Sequence, residues 1–312
     1  MKSQKIVFLG TPDFAVPSLE ALYHTKHDIA MVVTQPDRPK GRGKKLEASS
    51  VKKKAIELGL NIIQPKSINS FECIEQIQSL QPDFLIVVAF GQLLKKSLLD
   101  IPSRCVLNVH PSILPEYRGP APIQWSVIHG CEKTGVSIMK LDEGLDTGDV
   151  YSVQTVPIHP DETAGILHDR LSEIGAKLLI STIEQIVIND IPASPQNNKI
   201  ATYAPMLSKK DGLIQWQLST KSILNFIRGM TPWPGAFTFF ENKRLKIFQA
   251  QKANNLKQEN SGMVIESFPD ELWVSTGDGV LSIIEIQSAS GKRMLISNYL
   301  RGNPIPPGTI LG

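Results

Sequence analysis

The run Cys105-Val106-Leu107-Asn108-Val109-His110-Pro111-Ser112-Ile113-Leu114-Pro115 ends an apolar stretch in an amide and an imidazole two positions apart, and a proline then stops the element. If Cys105–Val109 is a buried strand, its period-two alternation sends Asn108 and His110 out on one side, at the strand's exit. Open α/β sheets bind their ligands at that end. A neutral donor beside a titratable one suits a carbonyl oxygen that becomes negative during acyl transfer.

Outward from this run the pattern alternates. Lys5–Leu9 reads as a buried strand and Val16–Thr25 as the helix after it, with Pro17 where a missing N–H costs nothing. Ile29–Thr34 is a second strand. A helix near Ser50–Leu58, a short strand at Asn61–Gln64 and a helix near Phe71–Leu80 follow. Phe84–Ala89 is an unbroken apolar run, as a central parallel strand requires. A helical stretch near Ile123–His129 leads to Gly135–Leu141 and Val150–Val156, read as an antiparallel pair because their connection is too short for a crossover helix. Strand–helix alternation predicts an α/β fold with a doubly wound, mostly parallel, Rossmann-like sheet.

An amphipathic helix over Ala164–Ile188 closes this first domain, residues 1–189. Residues 190–207, rich in Pro and polar side chains, read as a linker. The pattern then changes in 208–312. One helix near Lys221–Arg228 precedes short segments at Phe237–Phe240, Leu245–Gln251, Met263–Ser267, Leu272–Ser275 and Val280–Ile286. Five short strands with Gly, Asn and Asp at their joints predict a smaller OB-like β-barrel.

Bulk composition narrows the function. At 312 residues, 41% hydrophobic and 20% charged, the chain fits two ordinary globular domains. It has no apolar run of the roughly 18 residues a membrane span needs. The apolar stretch after Lys5 is too short for a signal peptide. Cys73, Cys105 and Cys131 lack zinc or disulfide spacing, so a reducing cytoplasm is the expected setting. Residues 1–190 carry 20 basic and 22 acidic side chains, whereas 191–312 carry 13 and 8. Within the acidic part, Arg38 to Lys54 holds eight basic residues against Glu47. Its loop portion, Gln35 to Lys45, puts five cations on Pro/Gly-punctuated backbone, which reads as a flexible arm for phosphates.

Other chemistries fit less well. The turn Gly10-Thr11-Pro12-Asp13 keeps only the first glycine of a dinucleotide fingerprint. No His-x-x-x-His pair occurs, so no metal is expected. Ser112 lacks a nucleophile elbow. The loop Leu141-Asp142-Glu143-Gly144-Leu145-Asp146-Thr147-Gly148-Asp149 lacks calcium-loop spacing. One of its carboxylates could instead orient a strand-end imidazole and raise its pKa.

The spaced motifs Asn108-x-His110-x-Ser112-Ile113-Leu114-Pro115, Tyr117-Arg118-Gly119 and Asp142-x-Gly144-Leu145-Asp146-Thr147-Gly148 resemble the formyltransferases that use 10-formyltetrahydrofolate. Ile113 departs from the leucine common there, a volume-conserving swap. Phe8–Ala15, Gln35–Pro39, Pro205–Gly212 and Met230–Ala236 narrow the resemblance to the branch that formylates methionyl initiator tRNA, and it spans essentially the whole chain.

That resemblance implies a catalytic trio of Asn108, His110 and Asp146. It implies folate contacts at Ser112, Ile113, Leu114 and Pro115 and at Val88, Ala89, Phe90 and Gln92. For tRNA, Arg38, Arg42, Lys44 and Lys45 in the basic loop, with Lys209 and Lys210 where the linker meets the barrel, are the expected contacts. The implied co-substrate is 10-formyltetrahydrofolate, the implied partner is initiator methionyl-tRNA, and a monomer is expected. Rival readings are a formyltransferase acting on an amino sugar nucleotide, a formylfolate hydrolase domain, and a non-catalytic RNA-binding protein. The basic loop and the free-standing barrel argue against the first two, and three intact catalytic positions against the last.

Overall fold

The computed structural model describes residues 2–40, 45–253, 259–267 and 270–312, so Arg42 and Lys44 lie outside the described residues. The chain forms two compact units. One comprises Met1–Gly119, Thr134–Val156 and His168–Tyr203, the other Pro120–Lys133, Pro157–Leu167 and Ala204–Gly312.

The first unit is built on strands β1 (Lys5–Gly10), β2 (Asp28–Val33), β3 (Arg38–Lys40), β4 (Lys45–Glu47), β5 (Ile62–Ile63), β6 (Phe84–Val88), β7 (Cys105–His110), β8 (Lys133–Lys140) and β9 (Val150–Pro157). Seven of them form one sheet in the order β5-β2-β1-β6-β7-β8-β9. β5, β2, β1, β6 and β7 pair in parallel, and β8 turns antiparallel to β7. Ile6–Leu9 of β1 and the whole of β6 are apolar, as strands covered on both sheet faces require.

The chain runs from β1 to β2 on one side and returns to β6 on the other, so the strand order reverses between β1 and β6. Crevices at such reversals bind ligands at the carboxyl ends of the strands. Val7, Leu9, Leu85, Val87 and Val106 pack with Ile77 and Leu98 from the helices α3 (Phe71–Ser79) and α4 (Lys96–Leu99) on one face. α1 (Val16–Tyr23) and α2 (Ser50–Glu57) complete the helices of this half.

Two features order the described ends of the basic loop. Arg38 pairs with Glu47, and Lys40 with Lys45, as the antiparallel hairpin β3–β4. Its described ends are therefore ordered strands. Lys52 also donates to Asp37 at 2.7 Å, tying α2 to the loop's entrance.

On the helix α6 (Ala164–Asn189) the buried residues Leu171, Ala176, Leu179, Ile183 and Ile186 recur at helical spacing. The helix approaches β7 closely: a Cβ on Gly175 would stand 2.8 Å from Val109 Cγ1. Val109 thus faces α6, and alternation sends Asn108 and His110 to the opposite side.

In the second unit α5 (Pro122–Ile128) packs on α7 (Thr220–Met230), whose cap Ser219 accepts the Ser222 N–H. Strands β10 (Ala236–Phe240), β11 (Lys243–Lys252), β12 (Val264–Ser267), β13 (Leu272–Ser275) and β14 (Val280–Ser288) order as β10-β11-β14-β13-β12. The five expected strands are present, together with a short sixth, β15 (Met294–Leu295), paired to β14 and leading into α8 (Ile296–Leu300). The sheet curls into an OB-like half-barrel. The C-terminus bridges its two edges: Val264 donates to Thr309 O and Leu311 to Gly262 O, while the Gly312 N–H reaches Phe239 O at 3.1 Å. Ile223, Ile227, Leu245, Ile247, Val274 and Ile283 fill the core.

Candidate active site

β7 delivers Asn108 and His110 to the sheet's carboxyl edge, with Asn108 in register beside Val87 of β6. Both are buried, at 9% and 4% exposure. The imidazole is held from two directions. Its Nε2 lies 3.0 Å from the Tyr117 carbonyl. A carbonyl only accepts, so Nε2 carries a proton there. Nδ1 is left facing Asp146 Oδ2 at 3.7 Å, an ion-pair approach longer than a hydrogen bond.

Asp146 is brought there by the loop between β8 and β9. Asp142 folds that loop, its Oδ1 accepting from the Gly144 N–H at 3.0 Å and the Thr147 hydroxyl at 2.8 Å. Lys140 donates to Asp149 O at 2.8 Å, and a Cβ on Gly148 would fall 1.9 Å from Lys140 O, so only glycine fits. Asp146 itself sits at φ +54°, a left-handed conformation uncommon for a residue with a side chain. Its Oδ2 also accepts the Gly119 N–H at 2.8 Å. Of the four acids in this loop, one shapes it and another meets the imidazole. An amide, a titratable ring and a carboxylate gathered at buried strand ends can stabilise a developing oxyanion and take up a proton.

The folate candidates are placed unevenly. The Ser112 hydroxyl donates to Glu116 O at 2.6 Å, and its carbonyl accepts from Ser137. The Leu114 N–H goes to Ser137 Oγ at 3.1 Å, and the Pro115 carbonyl accepts the Thr202 N–H. The Gln92 carboxamide bonds the Ile68 N–H and Lys66 O. These groups shape the chain around the site. Ala89, Phe90 and Gly91 instead line a cavity of about 480 Å³ at the strand-order reversal, with Thr11, Gln35, Arg38 and Ser49. That volume is within the range of small-molecule sites. The Phe90 carbonyl accepts from Thr11 Oγ1 at 3.0 Å and Gln35 Nε2 at 3.3 Å. The cavity's walls do not include Asn108, His110 or Asp146.

In the second unit Lys209 and Lys210 sit exposed on a turn braced by Asp211, which accepts the Ser208 N–H. Lys246 adds to this charge. Its amine is held below the usual lysine range, first by burial and then by Arg244 and Lys209 nearby. Arg244 lies 4.0 Å above the Phe237 ring. Arg244 and Lys246 escaped sequence reading because alternation along β11 marks them only as strand residues. The Tyr117 carbonyl and Gly119 N–H escaped it because backbone groups leave no trace in residue identity. Among the described residues no helix is long and apolar enough to cross a membrane.

A Rossmann-like sheet with an amide and an imidazole at one strand end and a loop carboxylate beside them can host acyl transfer. The chain belongs to the formyl transferase family: the family's formyl transferase model matches residues 4–183, and its C-terminal domain model matches residues 206–304. It is 46% identical over 312 residues, all of both chains, to a methionyl-tRNA formyltransferase of Syntrophus aciditrophicus. Among solved structures it resembles the N-formyltransferase of Helicobacter canadensis, in complex with folinic acid and dTDP-3-aminofucose. There the TM-score is 0.68 at 21% identity, covering 92% of this chain and 100% of that one. It also resembles HypX of Aquifex aeolicus in complex with tetrahydrofolic acid, with TM-score 0.66 at 17% identity. That match covers all of this chain, which spans about half (51%) of HypX.

Proposed function

We propose that this chain transfers the formyl group of 10-formyltetrahydrofolate to the free amino group of methionyl initiator tRNA, producing formylmethionyl-tRNA for translation initiation. End-to-end identity of 46% with a protein bearing that activity in its name supports this acceptor over an amino sugar nucleotide or a non-catalytic RNA role. The likeness to the Helicobacter sugar enzyme is only 21%. The observation that carries the chemistry is the 3.7 Å approach of His110 Nδ1 to Asp146, beside Asn108 on one strand end.

The folate supplies an electrophilic one-carbon carbonyl. Asn108 and the His110 Nε2–H, which turns to it from the Tyr117 carbonyl, donate to its oxygen as the acceptor amine attacks, each donor worth roughly 2.7–4 kcal/mol in comparable sites. Asp146 orients His110 and takes the amine's proton directly or through water. The tetrahedral adduct then re-forms its carbonyl, the formyl C–N bond to the folate breaks, and the proton passes to the departing folate nitrogen, which leaves tetrahydrofolate. Ala89 to Gly91, with the turn at Ser112–Pro115, flank the folate; Val88 and Gln92 shape that wall. Arg38, Arg42, Lys44 and Lys45 of the basic sequence run, with Lys209 and Lys210, hold tRNA phosphates, so affinity falls steeply with salt. Residues 1–189 act as the catalytic domain, 190–207 as the connection and 208–312 as the tRNA-binding domain of a cytoplasmic monomer.

The test is transfer of labelled formyl from 10-formyltetrahydrofolate to charged initiator tRNA, with charged elongator tRNA and an amino sugar nucleotide as rival acceptors. Formylation of initiator tRNA alone is expected. Preference for the sugar, or no transfer at all, overturns the proposal.

A further inference from the structure

Gln196 lies in the stretch between the two matched family regions, in a segment whose composition reads as a tether. Its side chain is fully engaged. Nε2 donates both hydrogens to the catalytic loop's backbone, to Asp146 O at 2.9 Å and Gly148 O at 2.7 Å. Its Oε1 accepts from Arg118 Nε at 3.0 Å and Nη2 at 2.8 Å. Arg118 Nη2 also reaches Asn198 Oδ1 at 2.7 Å.

The same segment is anchored on both sides of this link. Ser194 exchanges two backbone hydrogen bonds with Val150, just past the catalytic loop, at 2.8 and 2.9 Å. Thr202 accepts from the Tyr117 N–H through its hydroxyl at 2.8 Å and from the Arg118 N–H through its carbonyl at 2.9 Å. Tyr117 is the residue whose carbonyl holds His110, and Gly119 the one whose N–H holds Asp146.

We infer that residues 194–202 form a strap of the active site, and that Gln196 is a positioning residue that sets Asp146 against His110. The inference rests on the role proposed above for Asp146. The physical need is specific. Asp146 adopts a left-handed backbone whose cost must be met by its surroundings. A carboxamide is the one neutral side chain offering two donors to the loop carbonyls and an acceptor to a guanidinium at once. A misplacement of about 1 Å in such a group can cost up to about 100-fold in rate.

The test compares Gln196→Ala and Gln196→Glu with wild type and Asp146→Ala, measuring kcat, KM for both substrates, the pH profile of kcat and the melting temperature. The carboxylate introduced by Gln196→Glu would keep an acceptor for Arg118 but has no hydrogen for the Asp146 and Gly148 carbonyls. Both Gln196 variants are expected to lower kcat on the order of 10- to 100-fold. Each KM should stay within about twofold, the pH profile should move, and melting should shift by no more than about 3 °C. Wild-type turnover in Gln196→Glu, with or without a damaged Gln196→Ala, would mean the side chain only seats Arg118, and would overturn the inference. So would a parallel loss of stability and of both KM values. If Gln196→Ala does not fold, Gln196→Glu decides alone. An active Asp146→Ala overturns the underlying reading of the site as well, whereas an inactive Asp146→Ala beside a normal Gln196→Ala overturns the inference alone.

Discussion

Gly119 donates its N–H to Asp146 Oδ2 at 2.8 Å, so the same carboxylate oxygen that faces His110 is also fixed by the turn that follows β7. The strand that delivers the imidazole and the loop that delivers the acid are thereby joined locally. The geometry between His110 and Asp146 consequently does not depend on two independent mobile loops.

Removing either proposed donor to the oxyanion should be far more damaging to turnover than to binding. Asn108→Ala and His110→Ala are each expected to reduce kcat about 100- to 1,000-fold while leaving folate affinity close to wild type. Steady-state kinetics with titrated folate checks this, and near-normal kcat in His110→Ala excludes it from the chemistry.

The close approach of α6 to β7 gives a stability prediction. Gly175→Ala puts a methyl 2.8 Å from Val109 Cγ1, an overpacking that should destabilise by about 1–3 kcal/mol. Val109→Ala in the same chain should recover part of that loss. Urea unfolding of the two single variants and the double variant measures the coupling.

Arg244 and Lys246 should act on nucleic acid alone. Charge reversal at Arg244 is expected to weaken tRNA binding and to reduce the salt slope of log K by roughly one, with folate KM unchanged. Filter binding across a salt series provides the measurement, and an unaltered slope rules the contact out.

Acid should destabilise the first unit partly through His27. Burial is the main cause holding this ring below its ordinary value of 6.5; Lys26 adds to it, while Glu184 and Asp83 oppose. Its Nδ1 accepts the Gln4 N–H at 3.2 Å, which requires that nitrogen unprotonated. As pH falls through 6.5 the unfolded chain takes up a proton that the folded ring resists, so stability declines until the lower folded value is passed. Melting temperatures from about pH 8 to about pH 5.5 should fall less in His27→Asn, which keeps an acceptor without the titration. Identical slopes would remove His27 as a contributor.

The parallel strands were legible because burial on both faces leaves runs such as Phe84–Val88 without a polar residue. Helix α6 was legible from its period, and strand β7 from the apolar run that ends at Asn108 and His110. The hairpin β3–β4 was not, because its strands are three residues each, mostly charged in sequence and with Pro39 inside one of them, too short for an apolar alternation to register. β15 and α8 are likewise too short for periodicity to register. Asp146 could be singled out among four loop acids only through a motif, since composition does not say which carboxylate turns inward.

What the amino-acid order settled unaided was local: which segments bury which faces, and that an amide and an imidazole two apart leave one strand on one side. Those follow from backbone periodicity, which acts over a few residues. The partnership of Arg118 with Gln196, 78 positions away, and the choice of Asp146 over its neighbours arise only when the folded chain brings distant hydrogen-bonding groups together. No short-range pattern encodes that proximity, because it is set by how the sheet, the loop and the strap pack.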